Sequence, residues 1–257
     1  MHQFENCALQ VPIAINVSNM TAMLSNGEIL LKDLSFSLPK GAKLAVIGAN
    51  GSGKSTLMRG LLGMIPTAFS AYEILGENFS ALSLKERAKL MSYVGQQQAP
   101  ETEITVWEWC ELSRFPYATT KSKNAEMITQ ALVRCDVLPF AARRLSSLSG
   151  GERQRVYIAG VLAQETPIIL LDEVNSAMDP KYREAMEALI HSLTDKTIIS
   201  VTHDMNALHR YSHILALKSG NIAAFGRREV VLTQALLSEI FNYHFTEIWH
   251  ADRARYF

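Results

Sequence analysis

Nine residues, Gly48 to Thr56 in "GANGSGKST", restrict this chain more than any other stretch. An apolar run, "KLAVIGA" (Lys43 to Ala49), leads into them, and a helical pattern, "GKSTLMRGLLG" (Gly53 to Gly63), leads out. A glycine-rich turn between a buried strand and a helix, spaced G-x-x-x-x-G-K-[ST], suits phosphate binding. Gly48, Gly51 and Gly53 let the backbone take positive φ and turn its N–H groups inward as an anion nest. The helix N-terminus adds its dipole at the same point. Lys54 supplies positive charge to β- and γ-phosphates, and the Ser55 hydroxyl is a hard oxygen ligand suited to Mg2+. The candidate nucleotide-binding residues of this loop are Gly48, Asn50, Gly51, Ser52, Gly53, Lys54, Ser55 and Thr56. A chance glycine turn would not bring the strand, the helix and the Lys-Ser pair with it.

A second feature is costly unless something compensates for it. "IILLDEVNSAMDP" (Ile168 to Pro180) runs aliphatic residues straight into the adjacent carboxylates Asp172 and Glu173. Like charges repel, and burial disfavours both. Beside a phosphate loop, an Asp at the end of a neighbouring apolar strand holds Mg2+. Glu173, one residue on, is suited to orienting or deprotonating a water molecule. The two acids are expected to divide the work: Asp172 for metal, Glu173 for water.

Apolar runs alternate with helical patterns, which reads as α/β with a mostly parallel core sheet. "PIILLD" and "KTIISVTH" are two further core strands, and "HILALKSGNIAAFG" alternates around a hairpin turn at Ser219-Gly220-Asn221. From roughly 80 to 164 strand signals nearly vanish, and helical patterns dominate as an inserted helical subdomain. The chain, 1–257, is expected to be a single domain. Lys plus Arg and Asp plus Glu are 25 each, so no global field points to nucleic acid. Cys7, Cys110 and Cys135 are too scattered for a disulfide framework or a zinc site. The first Lys or Arg is Lys32, so a secretory leader is not expected.

"LSGGERQR" (Leu148 to Arg155) precedes the apolar helix "VYIAGVLA". Ser149, Gly150 and Gly151 form a second helix N-terminus able to take phosphate, and one nucleotide needs only one. The second set can serve the nucleotide of another copy in a two-fold dimer.

This order of motifs resembles that of ATP-binding-cassette (ABC) ATPases. "LSGGERQR" resembles the family's signature, Gln96 in "SYVGQQQAP" its Q-loop glutamine, "SAMD" (Ser176 to Asp179) its D-loop and His203 in "SVTHD" its switch histidine. The resemblance runs from about Val17 onward. It implies a P-loop NTPase fold with an N-terminal antiparallel β part beside the parallel sheet. It also implies ATP and Mg2+ as cofactors and a head-to-tail homodimer closing over two ATP molecules. Ser55, Gln96 and Asp172 would hold the metal, and Glu173 and His203 would be catalytic. Ser149, Gly150, Gly151 and Asp179 would act across the dimer interface.

Two departures stand out. Val174 occupies the place where the family usually has proline, which should loosen the turn after Glu173. Between Val17 and Ser35 there is no aromatic residue to stack on adenine; Met23 or Leu24 would have to pack on the base, with weaker ATP affinity or looser base selectivity.

With one cassette, no membrane span and no coiled-coil interruption, the resemblance narrows to a separate transport ATPase. It would be peripheral to the cytoplasmic side of the cell membrane through permease subunits, and served indirectly by a substrate-binding protein. "TVWEWCELSRFPY" and "GRREVVLT" resemble ATPases of importers for iron chelates, haem and cobalamin, with an iron-siderophore chelate as the leading cargo. Cobalamin or haem import and a soluble regulatory ATPase are the competing readings. Trp107, Trp109 and Phe115 fall on one helical pattern, either packing the helical subdomain or lining a groove for a permease helix.

Overall fold

The computed structural model describes residues 11–24, 26–95, 103–174, 178–250 and 253–256. Two long strands, β1 (Ile13–Met23) and β2 (Ile29–Pro39), form an antiparallel pair. Short strands β4 (Thr67–Ala68), β5 (Ala71–Ile74) and β6 (Glu77–Asn78) extend that sheet beyond β1. Leu31, Leu34, Phe36 and Leu38 of β2 are buried while most positions between them are exposed or half-buried, the pattern of a sheet with one covered face. This is the antiparallel β part implied by the resemblance.

The second sheet has six strands. They are β3 (Lys43–Ile47), β7 (Met91–Val94), β8 (Ile168–Asp172), β9 (Thr197–Val201), β10 (His213–Lys218) and β11 (Asn221–Arg227). Their spatial order is β11-β10-β3-β9-β8-β7, parallel except for the β10–β11 hairpin. Every residue of β3, β8 and β9 is buried, because both faces of the sheet are covered. That is why these strands read as unbroken apolar runs rather than alternating ones.

One apolar core lies between the two sheets around α1 (Lys54–Leu61), whose Leu57, Met58 and Leu61 are fully buried. A second core joins the other face of β8 to α3 (Val106–Ser113), α4 (Lys121–Arg134), α5 (Gly150–Gln164) and α6 (Pro180–Ser192). A smaller third core sets Leu237 and Ile240 of α8 (Gln234–Phe241) against β3 and β10. Leu90 of α2 (Leu84–Leu90) packs against the first core and Val231 of the single turn α7 (Arg228–Val231) against the third, and β12 (Glu247–His250) pairs with β13 (Arg253–Tyr256).

The stretch from 80 to 164 is not free of strand. Met91–Val94 pairs in parallel with β8 at the edge of the core sheet. Four residues directly after a helix leave too few positions for a period of two to be seen. Cys110 and Cys135 are buried free thiols, each pushed up to about 12 by desolvation; Cys7 lies outside the described residues.

Candidate nucleotide site

β3 ends at Ile47, and the chain turns through the glycine loop into α1, so the loop sits over the carboxyl ends of the parallel strands. Ligands of open α/β sheets bind at that edge. Gly48 has no room for a side chain: a Cβ would collide with the Leu217 carbonyl and come within 2.6 Å of Ser52 Oγ. Gly53, at φ 104, caps α1 in a left-handed conformation. Lys54 curls back over the loop, and its Nζ donates to the carbonyls of Gly48 at 2.8 Å and Ala49 at 3.0 Å. Burial lowers the Lys54 pKa, opposed by the nearby charges of Glu173 and Asp172.

Asn50, Gly51, Gly53, Lys54, Ser55 and Thr56 line a cavity of about 730 Å3 together with Leu30, Glu173 and His203. Ser52 does not line it. Its side chain is buried beneath Gly48, and its carbonyl accepts from Gly220 N at 3.1 Å.

Asp172 is the last residue of β8 and only 1% exposed. One carboxylate oxygen, Oδ2, accepts from the Tyr93 hydroxyl at 3.3 Å, whereas Oδ1 is buried without a hydrogen-bond partner. Burial raises the Asp172 pKa; a hydrogen bond with Ser55 opposes that, and neighbouring Glu173 adds to it. A buried, uncommitted carboxylate oxygen beside a serine hydroxyl is the hard-oxygen set that fits Mg2+. Gln96, expected as a third donor, lies outside the described residues.

Glu173 takes the turn after the strand at φ 53, a left-handed conformation that costs a non-glycine residue about 1–3 kcal/mol. The turn brings its Oε1 to 2.5 Å from His203 Nε2. Val174 is 2% exposed and packs in the second core, so apolar burial anchors the turn where a proline ring is usual.

Ser149 is the N-cap of α5. Its hydroxyl accepts from Glu152 N at 3.3 Å, and Glu152 Oε2 accepts from Ser149 N at 2.8 Å. Ser149, Gly150 and Gly151 line a different cavity, of about 480 Å3, which shares no residue with the first. Asp179, the N-cap of α6, and Tyr182 lie on this second cavity, and Asp179 Oδ1 accepts from Tyr182 N at 3.3 Å. Ser176 and Ala177 of the D-loop lie outside the described residues. Arg155, 3% exposed, stacks 4.0 Å over Tyr182 and ties α5 to the start of α6.

The aromatic residues after the Q-loop divide. Trp107 and Trp109 pack into the second core, Trp109 against Tyr157 at 5.0 Å, whereas Phe115 is 81% exposed. Leu30 and Tyr182 lie outside the quoted motifs, and Tyr93 and Arg155 lie inside them without an expected role. Tyr93 of β7 reaches Asp172 only through the pairing of β7 with β8.

The ABC transporter family profile matches residues 31–176. The probable siderophore transport system ATP-binding protein YusV of Bacillus subtilis is 34% identical over 235 residues, covering 88% of this chain and 86% of that protein. An inward-facing transporter assigned to the metal-chelate type has a chain superposing with a TM-score of 0.78 at 27% identity, covering 95% of this chain and 96% of its own. A dimeric ATP-binding cassette in a post-hydrolysis state with ADP and Pi gives 0.76 at 28% identity, covering 83% of this chain and 98% of its own. With the phosphate loop, paired carboxylates, signature helix and this sheet order in one chain, the protein belongs to the ABC transporter family as one of its ATP-binding, ATP-hydrolysing subunits.

Proposed function

We propose that this chain energises a membrane importer of iron-siderophore-type chelates, working as a head-to-tail dimer on the cytoplasmic face of the membrane. The observation that carries the reading is the separation of two half-sites. Lys54, Ser55, Glu173 and His203 share one cavity, while Ser149, Gly150 and Gly151 line another. Each half lacks what the other holds, and a two-fold pairing of copies supplies both. The likeness to a dimeric cassette supports that pairing. The relative named for siderophore transport supports the cargo. Among the described residues no helix is long and apolar enough to cross a membrane, so attachment would come through permease subunits.

In this reading the loop residues Gly48 to Thr56 cradle the phosphates, and Lys54 exchanges its carbonyl partners for β- and γ-phosphate oxygens. Ser55 and Asp172, with Gln96, would hold Mg2+, which neutralises phosphate charge when bound. Glu173 orients a water molecule and takes its proton as the water oxygen bonds to the γ-phosphorus and the bridging bond to ADP breaks. His203, hydrogen-bonded to Glu173, fixes that carboxylate and faces the γ-phosphate. Ser149, Gly150 and Gly151 of the second copy close on the same phosphate, with Asp179 beside them. The helices between β7 and β8 form the part that moves against the sheets, within a single domain, 1–257.

Glu173→Gln keeps the shape and removes the base, so it should hold MgATP in a closed dimer. Tagged Glu173→Gln protein purified with MgATP from detergent-solubilised membranes of its own cell should bring a polytopic permease in equal amounts. A permease whose binding protein carries haem or cobalamin would replace the cargo. Recovery with soluble proteins alone would replace the importer with a regulatory ATPase.

A further inference from the structure

Tyr93 is given no role in the quoted stretch "SYVGQQQAP", yet its hydroxyl is the only side-chain donor on Asp172 other than Ser55 among the described residues. It reaches Oδ2 at 3.3 Å and leaves Oδ1 buried and bare. Arg59, on the last turn of α1, brings its positive charge near the same hydroxyl. Its ring cannot swing away freely. At Gly95 the backbone passes so close that a Cβ there would meet the Tyr93 oxygen at 2.9 Å and its ring carbons at 3.1 Å.

A carboxylate with both oxygens free can rotate and offer either, or both, to a cation. One held at Oδ2 presents Oδ1 in a fixed direction. We propose that Tyr93 is a positioning residue that holds the Asp172 carboxylate with Oδ1 turned to the metal of the nucleotide site. This rests on the reading of Asp172 as a metal ligand. Partners that orient a metal-binding carboxylate typically change metal affinity by 10–100-fold when removed. A bond of 3.3 Å places Tyr93 at or below the lower end, at about three- to tenfold.

The test compares ATP affinity with saturating Mn2+ and with EDTA, for the wild type, Tyr93→Phe and Asp172→Asn, by titration of a fluorescent ATP analogue. The ratio of the two dissociation constants measures how much the metal helps. Tyr93→Phe keeps the ring and should lower the ratio about three- to tenfold, with affinity in EDTA and the melting temperature unchanged. Asp172→Asn should lower it further. A ratio lowered by Asp172→Asn but unchanged in Tyr93→Phe would reduce Tyr93 to packing. A ratio unchanged in both would remove Asp172 as a metal ligand and the proposal with it. Lost affinity in EDTA for Tyr93→Phe would show a disturbed phosphate loop and overturn the positioning role.

Discussion

At the scale of single residues, chemistry and stability separate cleanly. Leu24, directly after β1, is 43% exposed, and Leu30 lines the nucleotide cavity, so aliphatic side chains occupy the region where an aromatic is absent. Leu24→Tyr should tighten ATP binding about two- to tenfold, the 0.5–1.5 kcal/mol of an aromatic stack, and sharpen preference over GTP. Unchanged affinities by calorimetry would mean that the base rests elsewhere. His191 is a stability residue. Burial first, then the charges of Arg210, Lys43 and His209, lower its pKa to about 4. The unfolded chain takes up this proton below about 6.5 and the folded chain only near 4. Stability should therefore fall as pH drops through that window, by about 1–2 kcal/mol after allowance for its partial exposure. Urea unfolding at pH 7 and pH 4.5 should show a smaller loss in His191→Gln; an equal loss would place the acid sensitivity elsewhere. The placement of Asp172 and Glu173 at the end of a buried strand was legible from two adjacent acids after an apolar run. The Tyr93 contact was not, because it depends on the parallel pairing of β7 with β8, which no local pattern encodes.

At the scale of elements, the phosphate loop is held from outside its own motif. The β10–β11 turn reaches across to it: Gly220 N donates to the Ser52 carbonyl at 3.1 Å, and Gly220 O accepts from Lys32 N at 3.0 Å. Gly220 sits at φ 76, and a Cβ there would collide with the Leu30 carbonyl oxygen. Gly220→Ala is thus strained in conformation and blocked by backbone, and should destabilise the fold by about 1–3 kcal/mol. It should also weaken ATP binding, because the turn would lift from both Ser52 and β2. A melting temperature within a degree of wild type would show that the turn does not clamp the loop. The hairpin was readable from alternation around Ser219-Gly220-Asn221, whereas its contact with the loop was not. Turn chemistry is local, and a contact spanning more than 160 residues of chain is not. The edge strand β7 escaped for the opposite reason, being too short to show its period.

At the scale of the whole molecule, the proposed dimer is what would join the two half-sites. Two phosphate-binding helix starts in one sequence pointed to a dimer, and the fold keeps them on separate cavities. The cargo was legible only as a resemblance, since an ATPase that drives a permease carries no cargo site to read. The dimer is testable with two inactive variants. Lys54→Ala disables the phosphate loop, and Ser149→Arg blocks the signature helix. Each alone should form a dimer with no working site. In a mixed dimer, the intact loop of the Ser149→Arg copy meets the intact signature of the Lys54→Ala copy, and one complete site results. The direct measurement is ATPase activity of the two proteins apart and mixed, with folding checked by circular dichroism. No activity is expected apart, and activity should return on mixing. Two folded proteins that stay inactive when mixed would contradict the proposed dimer, because a site completed within one copy cannot be rescued by another.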